Sequence, residues 1–169
     1  MPPTRPAVPD DLEAIARILN DAILHTTAVF FDAPKTGDEM AAWFAAKAEG
    51  GWPVLVAGAP GDVLGYATCG PFRPWPGYRL TVEHSLYVRE GARRQGLGRA
   101  LLEGIAAEAA RMGMHATIGG IEATNGASLA LHARQGFQEV GRLPEVGQKF
   151  GRWLTLVFMQ KTLDGREVP

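Results

Sequence analysis

Cysteine is almost absent from this chain of 169 residues, in which Cys69 is the one thiol. A single cysteine cannot form an internal disulfide or assemble a thiolate zinc site. No two histidines stand four residues apart, the spacing that places two imidazoles on one helix face to hold a metal. We therefore expect neither a disulfide scaffold nor a bound metal.

A large excess of charge and long apolar runs are also missing. The formal net charge is -1 at pH 7, whereas proteins that bind the backbone of nucleic acids carry a basic excess. No apolar run approaches the ~20 residues of a membrane span, and residues 1–6 lack the apolar stretch of a secretory signal. We expect a cytoplasmic protein with no nucleic-acid or membrane partner.

What is present is the composition of a globular protein, with 46% hydrophobic and 21% charged residues. A chain of this length buries a substantial core and falls within the usual range for one domain, which we expect over residues 1–169.

Local patterns predict two helices, a meander of strands, and then alternating helices and strands. In the first half we expect a helix from an N-cap at Asp10 to Leu24, a helix from an N-cap at Thr36 to Lys47, strands at 54–57, 64–67 and 80–88, and a proline-rich loop at 70–77. In the second half we expect a helix at 98–112, a strand at 115–121, a short helix from Asn125, and strands at 137–140 and 153–159. This order predicts a mixed α/β sandwich whose sheet is partly parallel near its middle.

The most informative segment is 86–102, which joins a strand to a helix through a basic turn. Gly96 and Gly98 let the backbone approach a pyrophosphate, and the helix start directs free N–H groups toward that charge. Three arginines add positive charge: Arg93, Arg94 and Arg99. The turn predicts a phosphorylated cofactor, although two glycines alone are equally typical of a plain connector with solvated arginines.

Residues 93–98, Arg-Arg-Gln-Gly-Leu-Gly, resemble the acetyl-CoA signature Q/R-x-x-G-x-G/A of the GNAT acetyltransferases. A dinucleotide fingerprint is excluded because Leu101 stands where its third glycine is needed. The resemblance extends over nearly the whole chain, since the segment from Asn125 to Phe137 is similar to the second cofactor-side element of that superfamily. Residues 81–88 (Thr-Val-Glu-His-Ser-Leu-Tyr-Val) and 146–153 (Val-Gly-Gln-Lys-Phe-Gly-Arg-Trp) resemble, more narrowly, the phosphinothricin and methionine sulfoximine acetyltransferase branch.

The resemblance implies the GNAT fold: an α/β (α+β) architecture with a mixed central sheet, an antiparallel N-terminal meander, a parallel splayed strand pair and flanking helices. It implies acetyl-CoA as co-substrate and a β-bulge that splays the strand carrying Leu86, whose amide polarises the thioester. The cofactor-binding residues that it implies are Leu86, Tyr87, Val88, Arg93, Arg94, Gln95, Gly96, Leu97, Gly98, Arg99, Asn125 and Ser128. Asn125 is equally a plausible N-cap.

Acetyl transfer needs a neutral amine and a proton for the departing thiolate. The resemblance makes Glu83 the base, and the alternative is a strand carboxylate paired with a nearby arginine. Alternation puts His84 on the opposite face unless a bulge intervenes. His132 stands where the superfamily commonly has a tyrosine acid, and it either donates a proton or packs the short helix. Direct transfer is preferred over a covalent step on Cys69, which has no partner base.

The loop 72–79 combines aromatic walls with two guanidinium groups, which suit a small anionic amino acid. Its alternative is a proline-rich surface loop with solvated arginines. We expect these acceptor-binding residues: Phe30, Arg73, Trp75, Arg79, Glu83, His84, Lys149 and Phe150. The branch resemblance implies acetylation of a small amine acceptor such as L-methionine sulfoximine or phosphinothricin by a homodimer, with a late loop shaping the site. Residues 27–32 depart from the Ile-Trp-Asn pattern of close relatives.

Two other functions compete with this one. A GNAT enzyme for a protein N-terminus, polyamine or aminoglycoside would need a pocket for a cation or an open groove, against which the two arginines count. A non-catalytic acetyl-CoA sensor would not need Glu83 beside an aromatic, arginine-rich pocket.

Overall fold

A computed structural model describes residues 3–168. Within that range, seven strands form one sheet: β1 (Thr4–Pro6), β2 (Val54–Ala59), β3 (Asp62–Pro71), β4 (Thr81–Val88), β5 (Ala116–Glu122), β6 (Gln138–Lys149) and β7 (Arg152–Thr162). Four helices flank it: α1 (Leu12–His25), α2 (Gly37–Glu49), α3 (Leu97–Arg111) and α4 (Gly126–Arg134). The strand order is β1-β2-β3-β4-β5-β7-β6. None of the helices in residues 3–168 combines the length and hydrophobicity needed to cross a bilayer.

The predicted antiparallel meander and the parallel pair near the middle of the sheet are confirmed. Strands β1 to β4 pair antiparallel, whereas β4 and β5 run parallel. Pairing of β4 with β5 starts at Thr81↔Ala116 and ends at His84↔Gly119. Both strands continue, to Val88 and Glu122, and β5 stays paired with β7 to its end. The two central strands therefore separate halfway along their length.

The bulge expected in β4 is not present. Its register with β3 is uninterrupted from Gly65↔Val88 to Pro71↔Val82. Because the pairing of β4 with β3 is uninterrupted, side chains along β4 alternate strictly between the two faces of the sheet. The opening arises where β5 separates from β4. Glu83 and His84 consequently lie on opposite faces of the sheet.

Helix α2 begins as the sequence predicts, but α1 does not. At α2, the Thr36 hydroxyl accepts from the Glu39 amide at 3.2 Å, and the Glu39 carboxylate accepts from the Thr36 amide at 2.8 Å. Before α1, a short 3-10 turn covers Pro9–Asp11, and the Asp11 carboxylate accepts from the Val8 amide at 2.9 Å. The prediction of Asp10 as the N-cap is wrong, because the turn that starts at Pro9 brings Asp11 to that amide.

The late loop expected at residues 149–153 is the turn of a β-hairpin. Strand β6 runs to Lys149 and pairs with β7 across a two-residue turn, in which Phe150 and Gly151 have φ of 51° and 70°. The register of β6 shifts between Glu139 and Gly141 and again between Leu143 and Gly147. These irregularities, together with a proline at 144, mask the alternation that would have identified a long strand.

Two apolar layers cover the two faces of the sheet. Leu101 and Leu102 of α3 are fully buried against Ala67 and Val82 on one face. Ile15 of α1 belongs to the cluster on the other face, where Val56 and Tyr66 lie. Alternation along β4 therefore sends neighbouring side chains into different surroundings.

Candidate active site

A cleft opens where β4 and β5 separate, beside the N-terminus of α4. Its walls are formed by Ala28, His84, Ser85, Leu86, Tyr87, Gly119, Gly120, Ile121, Glu122, Asn125, Ser128 and His132. The backbone of β4 supplies polar groups to it. The amide of Arg89 donates to Leu64 O at 2.9 Å, toward the β3 side. Because successive strand amides point in alternate directions, the amides of Leu86 and Val88 point to the side that β5 has left.

The turn that follows β4 has the features of an anion site. Gly96 adopts φ 80° at the N-cap of α3 and no side chain caps that helix, so its first amides remain available. Arg93 and Arg94 are exposed and form no ion pair with the described residues, whereas Arg99 donates to Glu103 at 2.8 Å. A Cβ at Gly98 would lie 3.2 Å from Leu131 Cδ2, so a small residue lets α4 pack beside the turn. The turn fits the diphosphate of acetyl-CoA.

Other predicted cofactor residues divide between the two faces. The Leu86 and Val88 side chains lie on the face of the sheet that α3 covers. The Leu97 side chain is buried in the apolar cluster on the same face, so only the backbone amide of Leu97 is available to a ligand. Tyr87 lies on the α1 face with its ring centroid 5.3 Å from that of Tyr66. Asn125 is the N-cap of α4, since its Oδ1 accepts from the Ser128 amide at 3.2 Å.

Glu83 lies on the α1 face, half-buried. Its Oε1 would be 3.2 Å from a Cβ built at Gly120 of β5. Among residues 3–168 it forms no ion pair within 4.0 Å. The structure therefore does not support the alternative of a strand carboxylate paired with an arginine. Burial raises the pKa of Glu83, and the positive charge of Arg73 offsets part of that rise. A carboxyl with a raised pKa and no fixed partner suits general base chemistry.

His84 and His132 meet on the α3 face, both buried. Their Nε2 atoms are 2.9 Å apart, His84 Nδ1 lies 2.9 Å from Thr117 Oγ1, and His132 Nδ1 lies 2.8 Å from Ser128 O. Burial, and secondly His132, lowers the pKa of His84 to about 3, and burial lowers the pKa of His132. All four ring nitrogens are engaged, which argues against His132 as an acid and against His84 in the acceptor pocket.

An aromatic cluster joins the loop at 72–79 to β7. The Arg73 guanidinium lies over the Phe72 ring, 4.2 Å from its centroid. Phe72 makes edge contacts with Tyr78 at 5.7 Å and with Phe158 of β7 at 6.1 Å. Sequence reasoning missed Phe158, because a phenylalanine in an amphipathic strand carries no sign of function.

The other residues expected at the acceptor site lie at the surface of the chain. Trp75 is 63% exposed, and Arg79 donates to Pro76 O within its own loop at 3.3 Å. Phe150 is 57% exposed at the hairpin turn. Arg73 is exposed as well, but its positive charge acts on Glu83.

Phe30 and Lys149 join the segment after α1 to the hairpin. Lys149 is only 2% exposed and donates from Nζ to Val29 O at 2.6 Å. The Phe30 ring lies against Gly147, where a Cβ would be 2.4 Å from Cε2. Burial lowers the pKa of Lys149. Lys149 thus ties the hairpin to the segment that follows α1.

Glu122 at the end of β5 is a cleft residue that sequence reasoning missed. It is buried and accepts from Thr27 Oγ1 at 3.0 Å, from the Thr124 amide at 3.2 Å and from the Thr124 hydroxyl. Burial acts to raise the pKa of Glu122, but hydrogen bonds from Thr124 and Thr27 outweigh it, so the pKa is lowered. The run Glu-Ala-Thr-Asn after a buried strand was the signal that could have revealed it.

Cys69 of β3 is buried, and burial raises the pKa of its thiol to about 11. The thiol is therefore protonated at neutral pH, which supports direct transfer over a covalent intermediate.

A parallel pair that separates, a turn suited to an anion and a carboxylate without an ion-pair partner in residues 3–168 are together typical of an enzyme that transfers a group from a phosphorylated carrier. The chain belongs to the acetyltransferase (GNAT) family, whose model matches residues 15–137.

The chain is similar to relatives over 79% or more of their length. The chain is 50% identical to an L-methionine sulfoximine/L-methionine sulfone acetyltransferase of Pseudomonas paraeruginosa over 155 residues, which are 91% of this chain and 90% of the relative. It is 40% identical to a phosphinothricin N-acetyltransferase of Alcaligenes faecalis, covering 92% of this chain and 79% of the relative. A Salmonella typhimurium acetyltransferase structure with its cofactor acetyl-CoA superposes with a TM-score of 0.95 at 45% identity, covering 99% of this chain and 96% of the other.

Proposed function

We propose that this acetyl-CoA-dependent N-acetyltransferase acetylates the amino group of a small amino-acid-like acceptor, such as L-methionine sulfoximine or phosphinothricin. The observation that carries the proposal is the half-buried Glu83, which has no ion-pair partner within residues 3–168 and is influenced by the positive charge of Arg73, whose guanidinium lies over the Phe72 ring. A carboxylate and a guanidinium at one place complement an acceptor that has both an ammonium and anionic oxygens. The acceptors named for the relatives are of this kind.

The cofactor is held along the opened edge of β4. The amides at the start of α3, with Arg93, Arg94, Gln95 and Arg99 around them, bind the diphosphate. Leu86, Val88, Asn125 and Ser128 border the path of the pantetheine arm, and Tyr87 backs it from the other face. The free first turn of α3 and the two amides left by β5 support this assignment.

Acetyl-CoA supplies the acetyl group as a thioester. Glu83 takes one proton from the acceptor ammonium, directly or through a water, which leaves a neutral amine. The Leu86 amide donates to the oxygen of the transferred acetyl group, where negative charge develops. The nitrogen loses a second proton as the amide forms and the carbon–sulfur bond breaks. That proton passes to the departing thiolate to give the thiol, so no separate acid residue is required.

Acceptor recognition and assembly are linked in this proposal. Arg73 binds the anionic group of the acceptor, and Phe30 with Lys149 shapes one wall. Five large apolar side chains are exposed along the β6–β7 hairpin: Val140, Leu143, Val146, Phe150 and Trp153. We propose that they form a homodimer interface that brings Phe150 to the site, with Trp75 and Arg79 at its rim. The protein acts as one domain, in the cytoplasm, where acetyl-CoA is supplied.

The test is thiol release from acetyl-CoA by the purified protein with methionine sulfoximine, phosphinothricin, ordinary amino acids, a polyamine and a peptide. We expect turnover with the first two, lost in Glu83→Gln and retained in Glu49→Gln, which changes an exposed carboxylate at the end of α2. Turnover with only the polyamine or the peptide would refute the acceptor class. Acetyl-CoA binding without turnover on any amine would instead support a cofactor sensor.

A further inference from the structure

His84 and His132 form a buried pair, and their hydrogen-bond partners determine which ring nitrogens carry a proton. Ser128 O is a carbonyl oxygen and can only accept, so His132 Nδ1, 2.8 Å away, carries a proton. A neutral His132 then has a lone pair on Nε2. His84 Nε2, 2.9 Å from that lone pair, must be the donor. His84 Nδ1 is left as an acceptor for the Thr117 hydroxyl at 2.9 Å.

We infer that Thr117, His84 and His132 form one hydrogen-bond chain of fixed direction, in which His84 is a positioning residue that holds α4 at the cofactor cleft. The chain joins three elements, β5 through Thr117, β4 through His84 and α4 through His132. It lies directly where β4 and β5 cease to pair, at His84↔Gly119. The position of α4 sets that of Asn125 and Ser128, which border the cleft.

An aromatic ring separates the pair from the side chain of Lys161. Phe137 contacts both rings edge-on, with centroids 5.3 and 5.1 Å away. Lys161 of β7 lies 5.9 Å from the Phe137 centroid and donates to Gln135 O at 2.8 Å. Glu83, the neighbour on β4, lies on the other face. Protonation of His132 at Nε2 would set two N–H groups against each other at 2.9 Å, and protonation of His84 at Nδ1 would reverse its bond with the Thr117 hydroxyl. The chain therefore keeps this direction only while both rings are neutral.

Gly119 leaves the space that the pair occupies. A Cβ there would lie 2.9 Å from His84 Cε1 and Nε2 and 3.2 Å from His132 Nε2. The stacked rings, with centroids 5.2 Å apart, therefore fill a notch in β5 that a side chain would close.

The direct test is nitrogen NMR of protein labelled with ¹⁵N-histidine, with signals assigned by substitution. We expect His132 protonated at Nδ1 only and His84 at Nε2 only, with both patterns constant from about pH 5.5 to pH 8. Exposed His25 serves as a reference in the same sample. A protonated His132 Nε2, or titration of either ring in that range, would overturn the inference.

The catalytic consequence rests on the proposed transfer reaction, whereas the NMR pattern and calorimetric binding of acetyl-CoA do not. Thr117→Val removes the hydroxyl at nearly constant volume, and His84→Gln retains an amide donor. We expect both to raise the KM and the Kd for acetyl-CoA, by about threefold and tenfold respectively, with kcat within about twofold and the acid limb of the pH profile unchanged. A collapse of kcat with unchanged Kd would instead make His132 the proton donor and end the positioning role.

Discussion

Glu83 and His84 are neighbours on one strand, yet the two faces of β4 give them opposite chemistry. His84 is 5% exposed and both of its nitrogens are bonded, whereas Glu83 is half-buried and has no ion-pair partner among the described residues. Burial lowers the pKa of His84 to about 3 and raises the pKa of Glu83, so each side chain is pushed toward its neutral form. The comparison shows that a buried group with all partners supplied holds structure, while one without partners remains available for reaction.

The largest expected effect comes from replacing Glu83, because it tests the reactive face directly. Glu83→Gln should lower kcat/KM by about 10²- to 10⁴-fold, as loss of a general base does. In the wild type, kcat/KM should fall as the pH drops through the raised pKa of Glu83, since the protonated carboxyl cannot accept a proton. A pH–rate profile on both proteins checks this, and an unchanged acid limb in the mutant would contradict it.

The same substitution should stabilise the fold, which is the opposite of what an ion-paired carboxylate would do. A raised pKa means that ionisation is less favourable in the folded state than in the unfolded one, so Glu83 favours folding below its unfolded pKa and loses that contribution as pH rises. Removing the charge should therefore raise the Tm at pH 7 and change it little at pH 4. Thermal melts at the two pH values give the answer, and a lower Tm at pH 7 would identify a structural carboxylate.

Gly119 and Gly120 of β5 test the two faces separately, because one lies against the histidine pair and the other against Glu83. Gly119→Ala would press a methyl group onto the His84 and His132 rings at 2.9 and 3.2 Å, and we expect it to destabilise the protein by about 1–3 kcal/mol. Gly37→Ala is the control, since a Cβ there meets nothing within 4 Å. Urea unfolding compares the two, and equal stability would mean that the ring pair shifts without cost.

Gly120→Ala should have the smaller effect on stability and the clearer effect on activity. Its Cβ would meet Glu83 Oε1 at 3.2 Å, and a carboxylate end moves more easily than a packed ring pair. We expect less than about 1 kcal/mol in unfolding free energy, with a reduced kcat because the base is displaced. Stability loss matching that of Gly119→Ala would show that both faces are equally rigid.

The sequence predicted the features of the fold and site that depend on residues close together in the chain. The turn at 93–98, the N-caps at Thr36 and Asn125 and the meander follow from patterns that span a few residues. The partner of His132, the burial of Lys149 and the contribution of Glu122 depend on contacts such as Thr27 to Glu122, which join residues far apart in the chain. The hairpin at Phe150 was hidden for a different reason, because its bulges break the two-residue period.

The parting of β4 and β5 has a consequence for the lifetime of the molecule. Two amides of β4 that a continuous ladder would have used face the opening between β4 and β5. A cofactor bound there would supply hydrogen bonds to the central sheet that β5 does not. A ligand that binds only the folded state adds about 2.7 kcal/mol at 100 times its Kd. Resistance to unfolding and proteolysis should accordingly follow the metabolic state of the cell, with the enzyme most durable when acetyl-CoA is abundant.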